Sequence, residues 1–473
     1  MVCERIMDLK MLSELTIGED IISKLPDHVL SHILSRLKTK DAVKTCVLSS
    51  RWKDLWTLIY NLHFEYWHFR GSINFENFVD KVLGRCQSQE IQNFRIALDF
   101  SNDTELLSRF PLWISFAIEH KVQNLEINVN YDSEIGNWLP IRLPQSILTC
   151  KTLVKLKLDS GNCDFDFDIH DSVACFPSLK ILCVELLCSK SNLMEKLFSS
   201  CPVLEELTIR EDLEDTENVL TFDITVRTLK ILNIYLISDW NMSERVSIHK
   251  FVVRAPNLEQ LYIEDDSLAC FVMDETPFIS NAYLVGCFSM RSFFEPSKNE
   301  ANRAMELLRA IKNTTFLSLS KGIMGVLFLA FDGNLPTFPN LIRLDVGIDA
   351  HFGWKLLPHF LNNSPNLEVL ILKKEENDLP MDRFFYFESE NVPSCLLLHV
   401  KEIEVSMMGD HDELEVIRYL LKNSKVLKRF LVVFNRFDSD CEGFQLTEEL
   451  EQYLQYQISR FPRGSNLHEV EFC

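Results

Sequence analysis

One fragment, Leu-x-x-Leu-x-[Leu/Ile/Val], recurs along most of this 473-residue chain and limits its fold more than any other feature. It stands at Leu153/Leu156/Leu158, Leu179/Leu182/Val184, Leu204/Leu207/Ile209, Leu229/Leu232/Ile234 and Leu258/Leu261/Ile263. It returns at Leu341/Leu344/Val346, Leu367/Leu370/Leu372 and Leu427/Phe430/Val432, with weaker copies at Val122/Leu125/Ile127 and Thr314/Leu317/Leu319. Successive first positions from 153 to 258 lie 26, 25, 25 and 29 residues apart, and those at 341 and 367 are again 26 apart. A unit of that size offers one short strand, whose alternate side chains point into a core, and a return segment such as residues 193–200 behind it. No unit can bury its apolar side alone, so neighbours must stack into a solenoid.

The period falls in the leucine-rich-repeat range. The units are irregular: the Asn/Cys-x-Leu ending of the standard repeat is missing, and one unit between 263 and 314 is barely readable. Many begin on a Pro-x-Leu lead-in, as at Cys201-Pro-Val-Leu204, Ala255-Pro-Asn-Leu258 and Ser364-Pro-Asn-Leu367, where Pro shapes the turn without removing a strand N–H. The third and fifth positions of each hexad project from the strand face that such solenoids present as a concave surface. Ile181, Cys183, Ile231, Asn233 and Tyr262 mix apolar and polar groups there in a way that suits a protein ligand, and they are the candidate target-binding residues. The same residues are ordinary buried surface if adjacent loops cover them. Lys155, Lys157 and Arg343 are too few for a polyphosphate.

Composition narrows the function classes. The 48 Lys and Arg face 69 Asp and Glu, a net charge of -21, and the excess lies after residue 66, where 60 acidic side chains meet 39 basic ones. Such a surface repels phosphate backbones and anionic lipid, so neither nucleic acid nor membrane is an expected partner. Fourteen cysteines sit in apolar stretches without a Cys-x-x-Cys pair, which fits reduced thiols in the nucleus and/or cytoplasm. The charged N-terminus lacks a signal-peptide core, and the best uncharged apolar run, residues 322–331, is too short to span a bilayer.

The first 66 residues hold a different pattern. Val29, Leu30, Ile33, Leu34 and Leu37 fall at helical spacing, with Pro26 in the first turn where a missing N–H does no harm. Thr39 can cap a second segment with Ala42, Val43, Cys46 and Val47 on one face, and Ser49 or Ser50 a third with Trp52, Leu55 and Trp56. A module of about 40 residues is near the lower limit for a self-sufficient core, so part of its apolar surface seeks a partner. Leu25-Pro26-Asp27, Ile33-Leu34-Ser35-Arg36-Leu37, Ala42-Val43, Cys46-Val47-Leu48-Ser49-Ser50-Arg51-Trp52 and Leu55-Trp56, in this order and without a gap, closely resemble the F-box. The resemblance implies docking on a Skp-family adaptor and, through it, on a cullin–RING ubiquitin ligase. The adaptor-binding surface it implies draws on Leu25, Pro26, Ile33, Leu34, Leu37, Val43, Val47, Leu48 and Trp52, some of which must also be internal core. Arg36, Lys38, Lys40, Lys44, Arg51 and Lys53 either meet an acidic adaptor at the rim or form an ordinary solvated face.

Towards the C-terminus the pattern predicts a strand near residues 400–405, a helix carrying Leu414, Ile417, Leu420 and Leu421, another strand, and a last helix over residues 447–458. Val392-Pro-Ser-Cys395, Tyr419-Leu-Leu-Lys-Asn-Ser424 and Phe461-Pro-Arg-Gly-Ser465 resemble the FBD domain that follows F-box and leucine-rich repeats in plant proteins. The whole chain then reads as an α/β protein with a tail at 1–17 and a three-helix F-box at 18–66. A linker with a first repeat unit follows at 67–120, leucine-rich repeats at 121–390, and a C-terminal α+β FBD domain at 391–473 that caps the solenoid.

Catalytic machinery is not visible. Asp164, Asp166 and Asp168 begin like a calcium loop, but Ile169 replaces the required Gly and Cys175 the bidentate Glu, so an edge strand with Phe165, Phe167 and Ile169 inward is the better reading. No phosphate-binding loop, dinucleotide fingerprint, zincin or nucleophile-elbow motif occurs. No catalytic residue, metal ligand or cofactor is therefore assigned. The F-box resemblance points to a non-catalytic substrate-recognition subunit of an SCF-type ubiquitin ligase, binding an unknown protein target through the repeats. The competing reading is an interaction scaffold that binds a Skp adaptor outside a functional ligase.

Overall fold

The computed structural model describes residues 22–99, 104–130, 141–159, 165–166, 176–186, 191–212, 221–237, 249–265, 269–273, 278–286, 298–348, 353–374, 391–407, 411–434, 448–466 and 469–473. They fall into two compact units, Met1–Leu187 with Ser200–Val203, and Cys188–Ser199 with Leu204–Cys473.

In the first unit, helix Asp27–Leu34 starts directly after Pro26, whose carbonyl accepts the Leu30 N–H at 3.0 Å. Helix Thr39–Lys44 follows, and then the 3-10 turns Thr45–Val47 and Leu55–Leu58. The third element is thus one tight turn instead of a helix capped by Ser49 or Ser50, because Arg51 folds back onto Asp27 and the Leu25 carbonyl. Thr39 does not cap its helix either. Lys38 takes that position, and the Thr39 hydroxyl accepts the His63 N–H at 2.7 Å.

That bond lies at the edge of a parallel ladder formed by Asn61–Glu65, Asn93–Asp99, Asn124–Asn130, Lys155–Asp159 and Ile181–Leu186. Leu62, Phe94, Leu125, Leu156 and Leu182 meet in register on its inner side and are all essentially inaccessible. Among the described residues, Asn61–Glu65 pairs with a strand on one side only. An open strand edge exposes unpaired N–H groups. Here Ser35 Oγ accepts the Tyr60 N–H at 3.2 Å, as Thr39 accepts that of His63, and both hydroxyl residues are buried. The helical module is thereby the first cap of the repeat stack, which starts at Asn61, inside the stretch that the sequence assigned to the helices.

The second unit carries a ten-stranded parallel ladder. Its strands are Glu206–Asp212, Ile231–Ile237, Gln260–Asp265, Asn281–Val285 and Phe316–Leu319, then Arg343–Ile348, Val369–Lys374, Glu402–Met407, Arg429–Phe434 and Glu471–Phe472. Each repeat places its fourth and sixth hexad residues in two continuous core rows, such as Leu207, Leu232, Leu261 and Ile209, Ile234, Ile263. The barely readable unit is strand Asn281–Val285, whose core pair is Ala282 and Leu284. Behind the ladder the return segments differ. Thr221–Thr225, Lys250–Arg254 and Cys270–Met273 form a second small parallel sheet, in which Phe222, Phe251 and Phe271 stack at 5.1 and 5.3 Å. Elsewhere helices such as Lys321–Ala330, Gly353–Asn363 and His411–Asn423 fill that place.

In five repeats the residue just before the first leucine of the hexad ties its repeat to the one before it. Thr152, Ser178, Thr228, Asn257 and Asn366 donate to the carbonyls of Val122, Lys151, Leu204, Arg227 and Pro339 at 2.6–3.0 Å. This gives the Pro-Asn-Leu lead-in its physical meaning.

The Phe461-Pro-Arg-Gly-Ser465 run closes the array after helix Glu448–Ser459. The Gly464 N–H donates to the Leu421 carbonyl at 2.8 Å, at the end of helix His411–Asn423. A Cβ at Gly464 would overlap the Lys422 carbonyl oxygen, a backbone atom that cannot swing away. Gly464→Ala is therefore expected to cost about 1–3 kcal/mol as an overpacking strain, read as a lower urea midpoint with unchanged slope.

Of the remaining expectations, Phe165 is buried in the two-residue strand Phe165–Asp166, paired with Ile141–Arg142, while Asp164, Phe167, Asp168 and Ile169 lie outside the described residues, as does the tail at 1–17. No helix among the described residues is long and apolar enough to cross a membrane, and no group of acidic, His and Cys side chains among them could hold a metal.

Candidate docking surfaces

Folding sorts the nine F-box positions into interior and surface. Leu34 and Trp52 are 1% and 6% exposed, so they belong to the share of the set that builds the module's core, which the sequence alone did not separate from the surface. Leu25, Pro26 and Val43 are half-buried. Ile33 and Leu37 are 41% and 39% exposed, and Val47 and Leu48 reach 82% and 64%. The reason is local. Residues 45–47 form a 3-10 turn whose side chains no longer follow the buried face that Ala42 continues from helix Thr39–Lys44.

Ile22 and Leu58 are exposed as well, so six of the eighteen exposed large apolar side chains among the described residues fall between positions 22 and 58. Single exposed apolar residues are ordinary, but such concentration in one small module marks a surface built to be covered. The basic residues contribute less to it than their number suggests. Lys38 pairs with Glu65 at 2.7 Å, Lys44 with Asp41 at 2.8 Å and Arg51 with Asp27 at 2.6 Å, while Lys40 bonds the His68 carbonyl and lies 4.2 Å from the Phe69 ring centre. Burial works to raise the Glu65 carboxyl, but the hydrogen bond and charge of Lys38 outweigh it and hold the group below the usual carboxylate range.

A chain of amides runs from this module across the strand face of the first unit. Asn61 donates to the Ser35 carbonyl at 2.8 Å, Asn93 to Asn61 at 2.7 Å and Asn124 to Asn93 at 2.8 Å. The next row is ionic: Glu126 holds Lys157 at 3.0 Å and lies 3.8 Å from Arg95. Lys157 is thus neutralised within the face. Ile181 and Cys183 extend these rows as half-buried neighbours of Lys155 and Lys157.

The other three candidate target-binding residues lie in the second unit. Ile231, Asn233 and Tyr262 are all half-buried, and Asn233 donates to Thr208 Oγ1 at 3.2 Å. The five positions are therefore divided between the two units, two in one and three in the other. Spacing missed Tyr235, which extends the same face two residues beyond Asn233, and Tyr283, which sits in the unreadable repeat opposite Tyr262. Their signal was strand alternation beyond the hexad, available wherever the inward pair is known.

The geometry places a small helical module with exposed apolar side chains against the first strand of a parallel-stranded repeat ladder. The sequence matches the family models of the F-box domain over residues 22–64, of the FBD over 388–431, and of the leucine-rich repeats of the FBD-associated F-box protein At5g56370 over 110–278. It is 31% identical to the putative F-box/FBD/LRR-repeat protein At5g44950 of Arabidopsis thaliana, covering 93% of this chain and 97% of that one. It is 32% identical to the F-box/LRR-repeat protein 13 of the same plant, over 87% and 88% of the two chains. The chain belongs to the plant F-box/FBD/LRR-repeat family. Its general role is that of an F-box substrate adaptor.

Proposed function

We propose that the chain is the target-binding subunit of an SCF-type ubiquitin ligase in the nucleus and/or cytoplasm, docked on a Skp-family adaptor through Ile33, Leu37, Val47 and Leu48. Leu25, Pro26 and Val43 would border that contact. The observation that carries the reading is the concentration of exposed apolar side chains on the F-box module. Leu34 and Trp52 act beneath the surface as its support.

The mechanism is positional. A target held on a strand face gains a high effective concentration of its lysines beside the charged ubiquitin-conjugating enzyme, with no acid, base or nucleophile supplied by this chain. Such a device works best when the docking module and the recognition surface move together. The bonds from Ser35 and Thr39 to the first strand, and the amide chain that continues them, supply that stiffness within the first unit.

Co-expression with a plant Skp adaptor and a cullin–RING pair tests the proposal. The four proteins should co-elute as one complex that, given ubiquitin, its activating and conjugating enzymes and ATP, ubiquitinates a bound target. A chain that never recruits the adaptor ends this reading, and one that recruits the adaptor but never the cullin is the scaffold instead.

A further inference from the structure

Four aromatic rings form a diagonal row across neighbouring strands of the second unit. Tyr235 and Tyr262 lie 5.1 Å apart between ring centres, Tyr262 and Tyr283 6.0 Å, and Tyr283 and Phe316 5.0 Å. All four residues are half-buried on outward positions of their strands. Each end of the row already carries a guanidinium: Arg210 is 5.3 Å from the Tyr235 ring and Arg343 5.4 Å from the Phe316 ring. The rings thus act as acceptors of planar cations within the protein itself.

The charges beside the row decide what it suits. The Tyr262 hydroxyl donates to Glu264 at 3.0 Å, which puts a carboxylate at the centre of the row. Asp345 binds Arg343 through two hydrogen bonds, at 2.9 and 3.2 Å, and also lies 3.5 Å from Lys373, so the nearby positive charge is locally answered. Stacked rings can also bind single-stranded nucleic acid, but only in a cationic groove. Here the central carboxylate and the acidic excess of the chain disfavour phosphate.

We propose that this row seats an extended, basic segment of a partner protein, its arginine or lysine side chains lying over Tyr262 and Tyr283 with Glu264 answering one of their charges. The inference rests on the strand face being the target-binding surface, as in the function proposed above.

Fluorescence anisotropy with the full chain tests it, using a labelled Arg-Pro decapeptide, its Glu-Pro counterpart and a ten-nucleotide oligouridine. Because the chain carries a net charge of -21, the deciding comparison is a variant that leaves that charge unchanged. Tyr262→Ala/Tyr283→Ala should weaken the Arg-Pro peptide at least about tenfold, with Glu264→Gln weakening it less. Tyr453→Ala/Tyr456→Ala, on the exposed side of helix Glu448–Ser459, should leave it unchanged. If the double alanine variant fails to fold by circular dichroism, Tyr262→Leu/Tyr283→Leu keeps the apolar bulk and removes the ring faces. The proposal is overturned if the tyrosine variants bind like wild type, if no Arg-Pro binding is found at millimolar peptide, or if Glu-Pro or oligouridine binds as tightly. Adaptor co-purification is unaffected by these variants, so a failure here and a failure of F-box docking are read separately.

Discussion

Val47→Asp/Leu48→Asp protein is expected to remain folded and to lose the Skp adaptor. Both side chains are largely in water in the free chain, at 82% and 64% exposure, so charging them disturbs no packing and costs less than about 0.5 kcal/mol of stability. At an apolar interface the same two carboxylates would have to be buried without partners. Central interface positions cost about 2 kcal/mol or more each when disrupted, so the pair should weaken the complex at least a hundredfold, beyond what survives co-purification. The contrasting variants are Leu34→Asp and Trp52→Ala. Leu34 and Trp52 are interior, and Trp52→Ala alone should remove about 3–5 kcal/mol from the module. These chains should therefore lose the adaptor together with the module's own share of the helical circular dichroism. If Val47→Asp/Leu48→Asp still co-purifies, the docking surface lies elsewhere on the module, and the exposed Ile33 and Leu37 become the next pair to charge.

The division between surface and core could not be read from residue order, for a definite reason. Periodicity places Val47 on the face of Ala42 and Val43, and in an unbroken helix it would be buried with Ala42. The helix tightens to a 3-10 turn at Thr45, and the change of pitch swings Val47 outward. Thr39 shows a similar limit. Its position before an apolar segment is that of a cap, but its partner is the His63 N–H, 24 residues away, which no local pattern reveals.

The repeat array was legible because each unit obeys the same packing rule, and it faded where the rule tolerates other residues. The hexad also stands at Ile59/Leu62/Phe64 and Ile91/Phe94/Ile96, which open the ladder, at Ile279/Ala282/Leu284, and at Val400/Ile403/Val405. All twelve side chains are buried. Ala282 is the least leucine-like of them, and its repeat was the hardest to read. The aromatic row escaped for the opposite reason: it lies on the outward positions, which packing leaves unconstrained, and it becomes a row only when neighbouring strands are set in register.

The largest effect on stability is expected at the closing end of the second unit, where Lys374 and Glu413 meet at 2.9 Å with side chains 4% and 1% exposed. In the sequence 39 positions separate the two residues, and no local pattern pairs them. The fold instead carries Lys374 to the inner end of strand Val369–Lys374 and brings Glu413 over from helix His411–Asn423 to answer it. The attraction of such a pair is offset by the removal of two ions from water, so its presence says little about net stability, whereas breaking it takes a charge partner from an ion that stays in the interior. Glu413→Ala is therefore expected to destabilise the unit by about 3–5 kcal/mol in urea unfolding at pH 7, and Lys374→Met by a comparable amount. The double variant Lys374→Met/Glu413→Leu removes both charges and fills the space with apolar groups. It should recover most of that loss and can exceed wild type by about 1–4 kcal/mol. The coupling in this double-mutant cycle isolates the pair from the other contacts of both residues. A Glu413→Ala variant within about 1 kcal/mol of wild type would instead mean that water or another partner answers the Lys374 charge. Because Lys374 and Glu413 lie outside the F-box module, all three variants should still recruit the Skp adaptor, and what the two single variants loosen is the closed end of the repeat array.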